Sequence, residues 1–363
     1  MKNSFGNAIT VTLFGESHGP AIGAVLDGVA PGIKVDEEYI AAKLEQRKAK
    51  GKISTKRHEA DKFEILSGVF NGYTTGTPLC IVIKNEDVKS KDYDMMSRVA
   101  RPGHADLTAN YKYKGFEDFR GGGHFSGRLT AALVAVGAIL MKALEEKGIY
   151  IGTHIKQCYD ILDRDFDSYN KDIECLSNLE FPVLDEEAAD RMKTAIEMAA
   201  SEGDSLGGVL ETAVVGIPKG VGEPWFDSVE SMLSHGMFSI PGIKGVEFGA
   251  GFKMASMKGS DANDTFVYDG QDIVTATNNN GGINGGITNG MPIVFRTAVK
   301  PTPSIFKTQD TVDFIKEENT KLSLKGRHDP AIIHRARVVV DVMTAITLAD
   351  LLTVRFGTNY LGE

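Results

Sequence analysis

Apolar and polar positions alternate, or β-branched residues run together, over residues 9–14, 23–29, 63–69, 77–84, 208–217, 246–254 and 292–299, and each stretch predicts a strand. Residues 63–84 read as a hairpin turning at Asn71-Gly72. A 3.6-residue period predicts four helices. The first covers residues 36–49, with Glu37 and Glu38 in its first turn and Ile40 and Leu44 on one face. The others cover 129–147 ended by Gly148, 186–202 ended by Gly203, and 330–355. The second and last are apolar almost all round and should be buried. Long buried helices among antiparallel-type strands, without βαβ alternation, predict an α+β fold in which helices are layered between antiparallel sheets, a β-α-β sandwich. No Pro/Ser-rich linker, internal repeat or low-complexity stretch interrupts the chain, so residues 1–363 are expected to form one integrated domain.

Composition narrows the class. With 42% hydrophobic and 25% charged residues and a mean hydropathy of -0.14, disorder, collagen and coiled coil are excluded. The longest uninterrupted apolar run, residues 131–141, is flanked by Thr130 and Lys142 and falls short of the roughly 20 residues of a membrane span. The first residues carry no apolar core or small-residue cleavage site of a signal peptide, which predicts a cytoplasmic protein without a membrane partner. Three scattered cysteines, Cys80, Cys158 and Cys175, form no Cys-x-x-Cys and suggest neither disulfides nor a metal.

Charge adds a contrast. The chain carries a net -9, which disfavours nucleic acid, yet residues 43–62 hold eight cations (Lys43, Arg47, Lys48, Lys50, Lys52, Lys56, Arg57, Lys62) against three acids (Glu45, Glu59, Asp61). A focused cationic patch on an acidic protein suits a small, highly charged anion; a solvated lysine-rich loop after a helix would look the same. An RNA-binding module is the third possibility, opposed by the net charge and by the absence of aromatic residues within the patch.

Five segments carry candidate chemistry. Gly15-Glu16-Ser17-His18-Gly19 and Arg101-Pro102-Gly103-His104-Ala105-Asp106 each set a histidine, the side chain best able to move a proton near neutral pH, on a glycine-containing loop. The second adds an arginine fork suited to phosphate or carboxylate. Arg120-Gly121-Gly122-Gly123-His124-Phe125-Ser126-Gly127-Arg128 runs into the apolar helix predicted from residue 129, which would offer free amides and a helix N-terminus to an anion. It is neither a Walker loop nor a Gly-x-Gly-x-x-Gly turn, which disfavours nucleoside triphosphates and the usual dinucleotide fold. Lys300-Pro301-Thr302-Pro303-Ser304 leaves a strand with an ammonium and two hydroxyls on stiffened backbone, and Gly326-Arg327-His328-Asp329-Pro330 precedes the last helix, where Asp329 and Pro330 read as N-cap and first helical residue.

In this order, and with Phe14 before the first, these segments resemble the chorismate synthase family over nearly the whole chain. The resemblance implies a homotetramer of single-domain β-α-β subunits that converts 5-enolpyruvylshikimate 3-phosphate to chorismate and phosphate by 1,4-elimination. Reduced FMN would be an obligatory cofactor with no net redox change. It further implies that Arg47, Arg101 and Arg128 hold the substrate's carboxylates and phosphate, that His18 protonates the departing phosphate, that His104 steadies or protonates the reduced flavin, and that Asp329 takes part in proton removal through flavin N5. Flavin contacts would fall on His124, Phe125 and Ser126, on Pro241 and Gly242, on Gly285, on Lys300, Pro301, Thr302, Pro303 and Ser304, and on Arg327. The chain departs from the family pattern at Gln46-Arg47-Lys48-Ala49-Lys50-Gly51, where three arginines are usual, so the second cation is Lys50 or Lys52, in a place that serves substrate or NADP. It departs again at His124-Phe125 and at Pro241-Gly242. An NADPH-dependent flavin reductase, with NADPH as external reductant, is the alternative activity.

Overall fold

The computed structural model describes residues 2–48, 51, 53–54, 60–86, 97–324 and 329–363. Among the described residues the α-helices are α1 (Glu37–Arg47), α2 (Asp106–Tyr113), α3 (Thr130–Glu146), α4 (Tyr169–Asn178), α5 (Glu186–Ser201), α6 (Val229–Ser239), α7 (Gly259–Ala262) and α8 (Ile333–Phe356). Local chemistry sets several ends. Asp36 accepts from Tyr39 N at 2.9 Å to start α1, Asp185 from Glu187 N and Ala188 N to start α5, and Ser228 from Ser231 N to start α6. After α3 and α8 the chain turns away at Gly148 and Gly357, both at positive φ.

Strands Ser4–Phe5, Thr10–Gly15, Ala21–Asp27, Leu79–Lys84 and Phe63–Ser67 lie side by side in that order as an antiparallel sheet. A second antiparallel sheet has the order Ile243–Phe248, Ile293–Val299, Gly208–Val215, Tyr150–Cys158 and Ile161–Leu162. Helix α3 packs on the first sheet and α8 on the second, and the two helices pack on each other with α1 and α6 alongside. The layered α+β arrangement expected from the sequence is therefore present, with two helix layers between the sheets. Gly137 permits the close approach: a Cβ there would lie 2.7 Å from Val342 Cβ of α8. One hydrophobic cluster runs through all these layers, from Ile9 to Leu361.

The predicted hairpin forms at Asn71-Gly72, where both residues take positive φ (51° and 79°) as a two-residue primed turn demands. The apolar stretch is longer than its uninterrupted run: by length and composition Gly127–Glu146 could cross a membrane, but 89% of that window is buried inside the protein, where it serves as a core helix. Strand Tyr150–Cys158 and helices α2, α4 and α6 were not foreseen. That strand is buried on both faces, by α8 and α4, which removes the alternation that marks a half-exposed strand. The last helix begins at Ile333 rather than at residue 330, and Ile332 is its uncapped first boundary. Asp329, expected as its N-cap, lies outside the helix and pairs with Arg335 instead.

Candidate active site

The glycine turn is the centre of the site. Gly121, Gly122 and Gly123 all have positive φ (61°, 84° and 53°), a conformation that costs other residues energy. They also leave room for two imidazoles. A Cβ on Gly121 would collide with the His18 ring, and one on Gly122 would lie 3.3 Å from His104 Cε1. The two histidine loops thus meet on one turn, and Ser17 N, donating to Gly123 O at 3.1 Å, ties the first loop to it. The turn itself differs from the expected open helix N-terminus. Residues Arg120–Phe125 and Gly127–Leu129 form two 3-10 turns, and the amides of Arg120, Gly122, Ser126, Arg128 and Leu129 are spent within the segment. Arg120 pairs with Asp118 at 2.7 Å.

His104 is positioned by its own loop. Its Nδ1 lies 2.7 Å from Asp106 Oδ1, and Asp106 accepts from Arg101 through N (3.0 Å), Nε (2.8 Å) and Nη2 (2.7 Å). Burial works against charge on Asp106, yet the bonds from Arg101 and His104 win and hold its carboxyl well below the usual carboxylate range. Beside His104, a cavity of about 210 Å³ is lined by Gly122, Phe125, Phe119, Asn110 and the hairpin tip Phe314-Ile315. Phe125 meets Tyr113 edge to face at 6.0 Å, and His124 donates from Nδ1 to Gly15 O at 2.8 Å.

The segment from Lys300 closes against the same loop. Lys300 Nζ donates to Gly103 O, Pro303 Cβ would touch a Cβ on Gly103 at 3.4 Å, and Lys300 N donates to Gly242 O at 2.9 Å. Pro301 packs on Gly207, Thr302 O accepts from Ser205 Oγ at 2.7 Å, and Ser304 is buried. Pro241 and Gly242 therefore adjoin the Lys300 segment. Gly285 does not. Its hairpin sits against Val221 and Ser228, at the end of strand Ile293–Val299 opposite Lys300, and a seven-residue strand puts the two ends roughly 20 Å apart. Within one chain the expected flavin contact at Gly285 is thus separated from the others. The expectations at Lys52 and Arg327 lie outside the described residues.

A buried ionic network joins the remaining candidates. Arg47 Nη2 is 2.7 Å from Asp61 Oδ2, and Arg128 Nη1 bonds Asp61 Oδ1; the Arg47, Asp61 and Arg128 side chains are 8%, 0% and 3% exposed. Arg128 also donates from Nε to Asn85 Oδ1 at 3.0 Å, and Asn85 Nδ2 reaches Glu16 O and Gly19 O, the backbone that flanks His18. On the other side Arg335 donates from Nε to Arg47 O at 2.8 Å and from Nη1 to Asp329 Oδ2 at 2.6 Å. Burial would raise the Asp61 pKa, but the two guanidiniums hold its carboxyl below the usual range. Lys43 belongs elsewhere: it is buried in the helix layer facing Asp341 and contributes no surface charge to a patch.

The buried polar atoms without a hydrogen-bond partner among the described residues include Ser17 Oγ, Arg47 Nε and Thr302 Oγ1. A buried donor or hydroxyl left unpaired costs about 1–3 kcal/mol, and each could be satisfied by an oxygen-rich ligand. The sequence did not reveal Asp61, Asp106, Asn85 or Arg335 as parts of the site. Asp106 stood in a quoted motif without a role. Asp61, at φ 51° in the left-handed region, had counted only as an acid diluting a basic stretch.

A helix-filled α+β sandwich with two histidines meeting on a glycine turn, near a buried arginine network, has the proton-transfer groups of an enzyme acting on a small molecule. The family model described as chorismate synthase matches residues 9–353. The chorismate synthase of Pyrococcus abyssi is 46% identical over 351 residues, covering 96% of this chain and 97% of that protein. That of Aeropyrum pernix is 47% identical over 358 residues, covering 98% and 93%. A solved structure described as "Crystal Structure of Chorismate Synthase" superposes with a TM-score of 0.76 at 31% identity, covering 97% of this chain and 94% of that one. The chain belongs to the chorismate synthase family, whose members are lyases.

Proposed function

We propose that the chain eliminates phosphate from 5-enolpyruvylshikimate 3-phosphate to give chorismate, with reduced FMN as an obligatory cofactor, at the last common step of aromatic amino acid biosynthesis. The observation that carries the reading is the meeting of His18 and His104 on the Gly121-Gly122 turn, beside unpartnered Ser17 Oγ, with Arg47 Nε and Thr302 Oγ1 also buried and unpartnered. Those donors and hydroxyls fit the phosphate and carboxylate oxygens of a substrate and a flavin phosphate, and the glycine turn with Phe125 fits a flat ring.

In this reading the C3–O bond breaks as phosphate leaves, a proton leaves C6, and the electron pair released there becomes the new ring double bond. His18 donates the proton that neutralises the departing phosphate oxygen. Arg47 Nε holds an anionic substituent in place. The Asp329 carboxylate, oriented by Arg335, takes part in removal of the C6 proton. His104, held by Asp106, presents its Nε2 edge toward Gly122 and steadies the ring beside it. Bound reduced FMN would be held by His124 to Ser126, Pro241-Gly242 and Lys300 to Ser304, and it supplies electron density that eases loss of phosphate. Acid-base groups of this kind typically contribute about 10²- to 10⁴-fold each.

The subunit works in the cytoplasm as one integrated domain within a homotetramer. The continuous cluster from Ile9 to Leu361 supports the first part, and exposed Trp225, Phe226, Phe252, Phe266 and Tyr268, which a second copy would cover, support the second. The test is anaerobic: purified protein, the substrate and chemically reduced FMN, with chorismate and phosphate followed together. Equal amounts of both, dependent on reduced FMN, are expected. A parallel sample with NADPH in place of the chemical reductant reports any flavin reductase activity. No product despite flavin binding would overturn the reading.

A further inference from the structure

Asp61 sits where a substrate anion would be expected to sit. Its two oxygens face one guanidinium each, Oδ2 to Arg47 at 2.7 Å and Oδ1 to Arg128, and its side chain is fully buried. Among the described contacts, Arg128 also spends Nε on Asn85 and reaches Lys84 O through Nη2. Arg101, the third candidate anion holder, has Nε and Nη2 on Asp106. What the network leaves open is Arg47 Nε, which is buried without a partner among the described residues. Two buried cations and one buried anion thus leave a buried arginine donor unused, with Arg335 nearby balanced by Asp329. Without the carboxylate, two guanidiniums would face one buried space. That is a site for a phosphate dianion, and phosphate is the product that must leave.

We propose that Asp61 is the built-in counter-anion of the anion site. Its carboxylate fixes the Arg47 and Arg128 guanidiniums and keeps the site from gripping free phosphate, so that affinity is kept for an anion carried on a larger substrate. Asp61 is a positioning residue in this scheme, and the scheme rests on the phosphate-eliminating reaction proposed above. The arrangement trades ground-state grip on a fragment for turnover, as an enzyme that binds transition states better than products requires.

Inorganic phosphate is the probe, titrated calorimetrically into the full-length protein without flavin and used as an inhibitor in the elimination assay. Wild type should bind phosphate weakly, about millimolar. Asp61→Asn should bind it about tenfold or more tightly, with a steeper loss of affinity on adding salt and a lower kcat. A purely structural ion pair would lower stability and leave phosphate affinity where it was or weaken it, and that result overturns the proposal. Should Asp61→Asn fail to fold, Asp61→Asn combined with Arg128→Gln preserves the local charge balance while freeing Arg47, and a smaller tightening is expected because one guanidinium rather than two faces the anion. Unchanged affinity there, or submicromolar phosphate binding by wild type, also overturns it. Turnover of substrate by wild type, run in parallel, fails separately if the reaction itself is misassigned.

Discussion

Two buried ionic clusters in this molecule look alike in composition and differ in what they leave unpaired. Across the second sheet His154, Glu211, Arg296 and Glu247 occupy adjacent register positions on four strands, alternating in charge. His154 Nδ1 is 2.6 Å from Asp163 and its Nε2 3.1 Å from Glu211; Arg296 bonds Glu211, Glu247 and Gly249 O. Asp163 also accepts from Leu184 N and Asp185 N. Every one of these named side-chain groups is satisfied within the fold. The Arg47–Asp61–Arg128 cluster is more deeply buried, yet it retains the open Nε of Arg47, and Asn85 ties it to the His18 loop, whose Ser17 hydroxyl is also open. A closed network holds strands in register; an open one waits for a ligand.

Breaking the open side should cost activity first. His104→Ala and Asp329→Asn are expected to lower turnover by about 10²- to 10⁴-fold with near-native melting, measured by chorismate release and thermal unfolding. Full activity in both would strip these residues of their roles. Breaking the closed side should cost stability instead. Glu211→Gln leaves His154 and Arg296 short of a counter-charge and should destabilise by about 3–5 kcal/mol in denaturant titrations, with kcat of the folded fraction unchanged. A loss of kcat there would blur the distinction.

The closed cluster also fixes a pH signature. Burial opposes charge on His154, but its bonds to Asp163 and Glu211 raise its pKa above the ordinary 6.5. The folded state therefore binds its proton more tightly than the unfolded one, so this stabilisation is complete below the ordinary value and disappears as pH rises through the folded one. Asp163 and Glu211, buried yet held low by His154, act in the opposite sense and lose their contribution as pH falls. Unfolding free energy followed from pH 6 to about 9 should decline more in wild type than in His154→Gln. Equal slopes would contradict the assignment.

Smaller effects sharpen the boundary. Gly121→Ala puts a methyl on the His18 ring at a positive φ and should cost about 1–3 kcal/mol as well as turnover, seen by melting and assay together. Asp36→Ala removes the cap of α1 and should cost only about 1 kcal/mol of stability, leaving activity intact although the same helix carries Arg47 at its far end.

The sequence was most legible where periodicity and punctuation agreed. Helices α3 and α8 are apolar over many turns, and Gly148 and Gly357 end them, so their existence was plain even though α8 starts three residues late. Strand Tyr150–Cys158 escaped because burial of both faces hides alternation, and polar Thr153 and His154 interrupt its apolar run although both are buried. Helix α2 is short and hydrophilic, with a single buried residue, Ala109, and so leaves no apolar stripe to mark it. At the site, histidines on glycine loops announced themselves, since exposed proton-transfer groups on close-approach backbone leave a local pattern. Asp61 and Arg335 left none, because their meaning lies in contacts across 14 residues to Arg47 and six to Asp329, and in a fold that turns those contacts inward. The basic stretch was real in composition but mixed in fate: Lys43 enters the core, and Arg47 joins the network.

The contrast between open and closed networks comes down to which arginine answers an anion. Arginine Nε resonances, assigned with Arg47→Lys and Arg296→Lys, should be followed in a proton–nitrogen spectrum while inorganic phosphate is added to the wild-type protein. The Arg47 Nε signal should move and saturate only at phosphate concentrations above about millimolar while that of Arg296 stays in place; movement of Arg296, or of neither, would contradict the account.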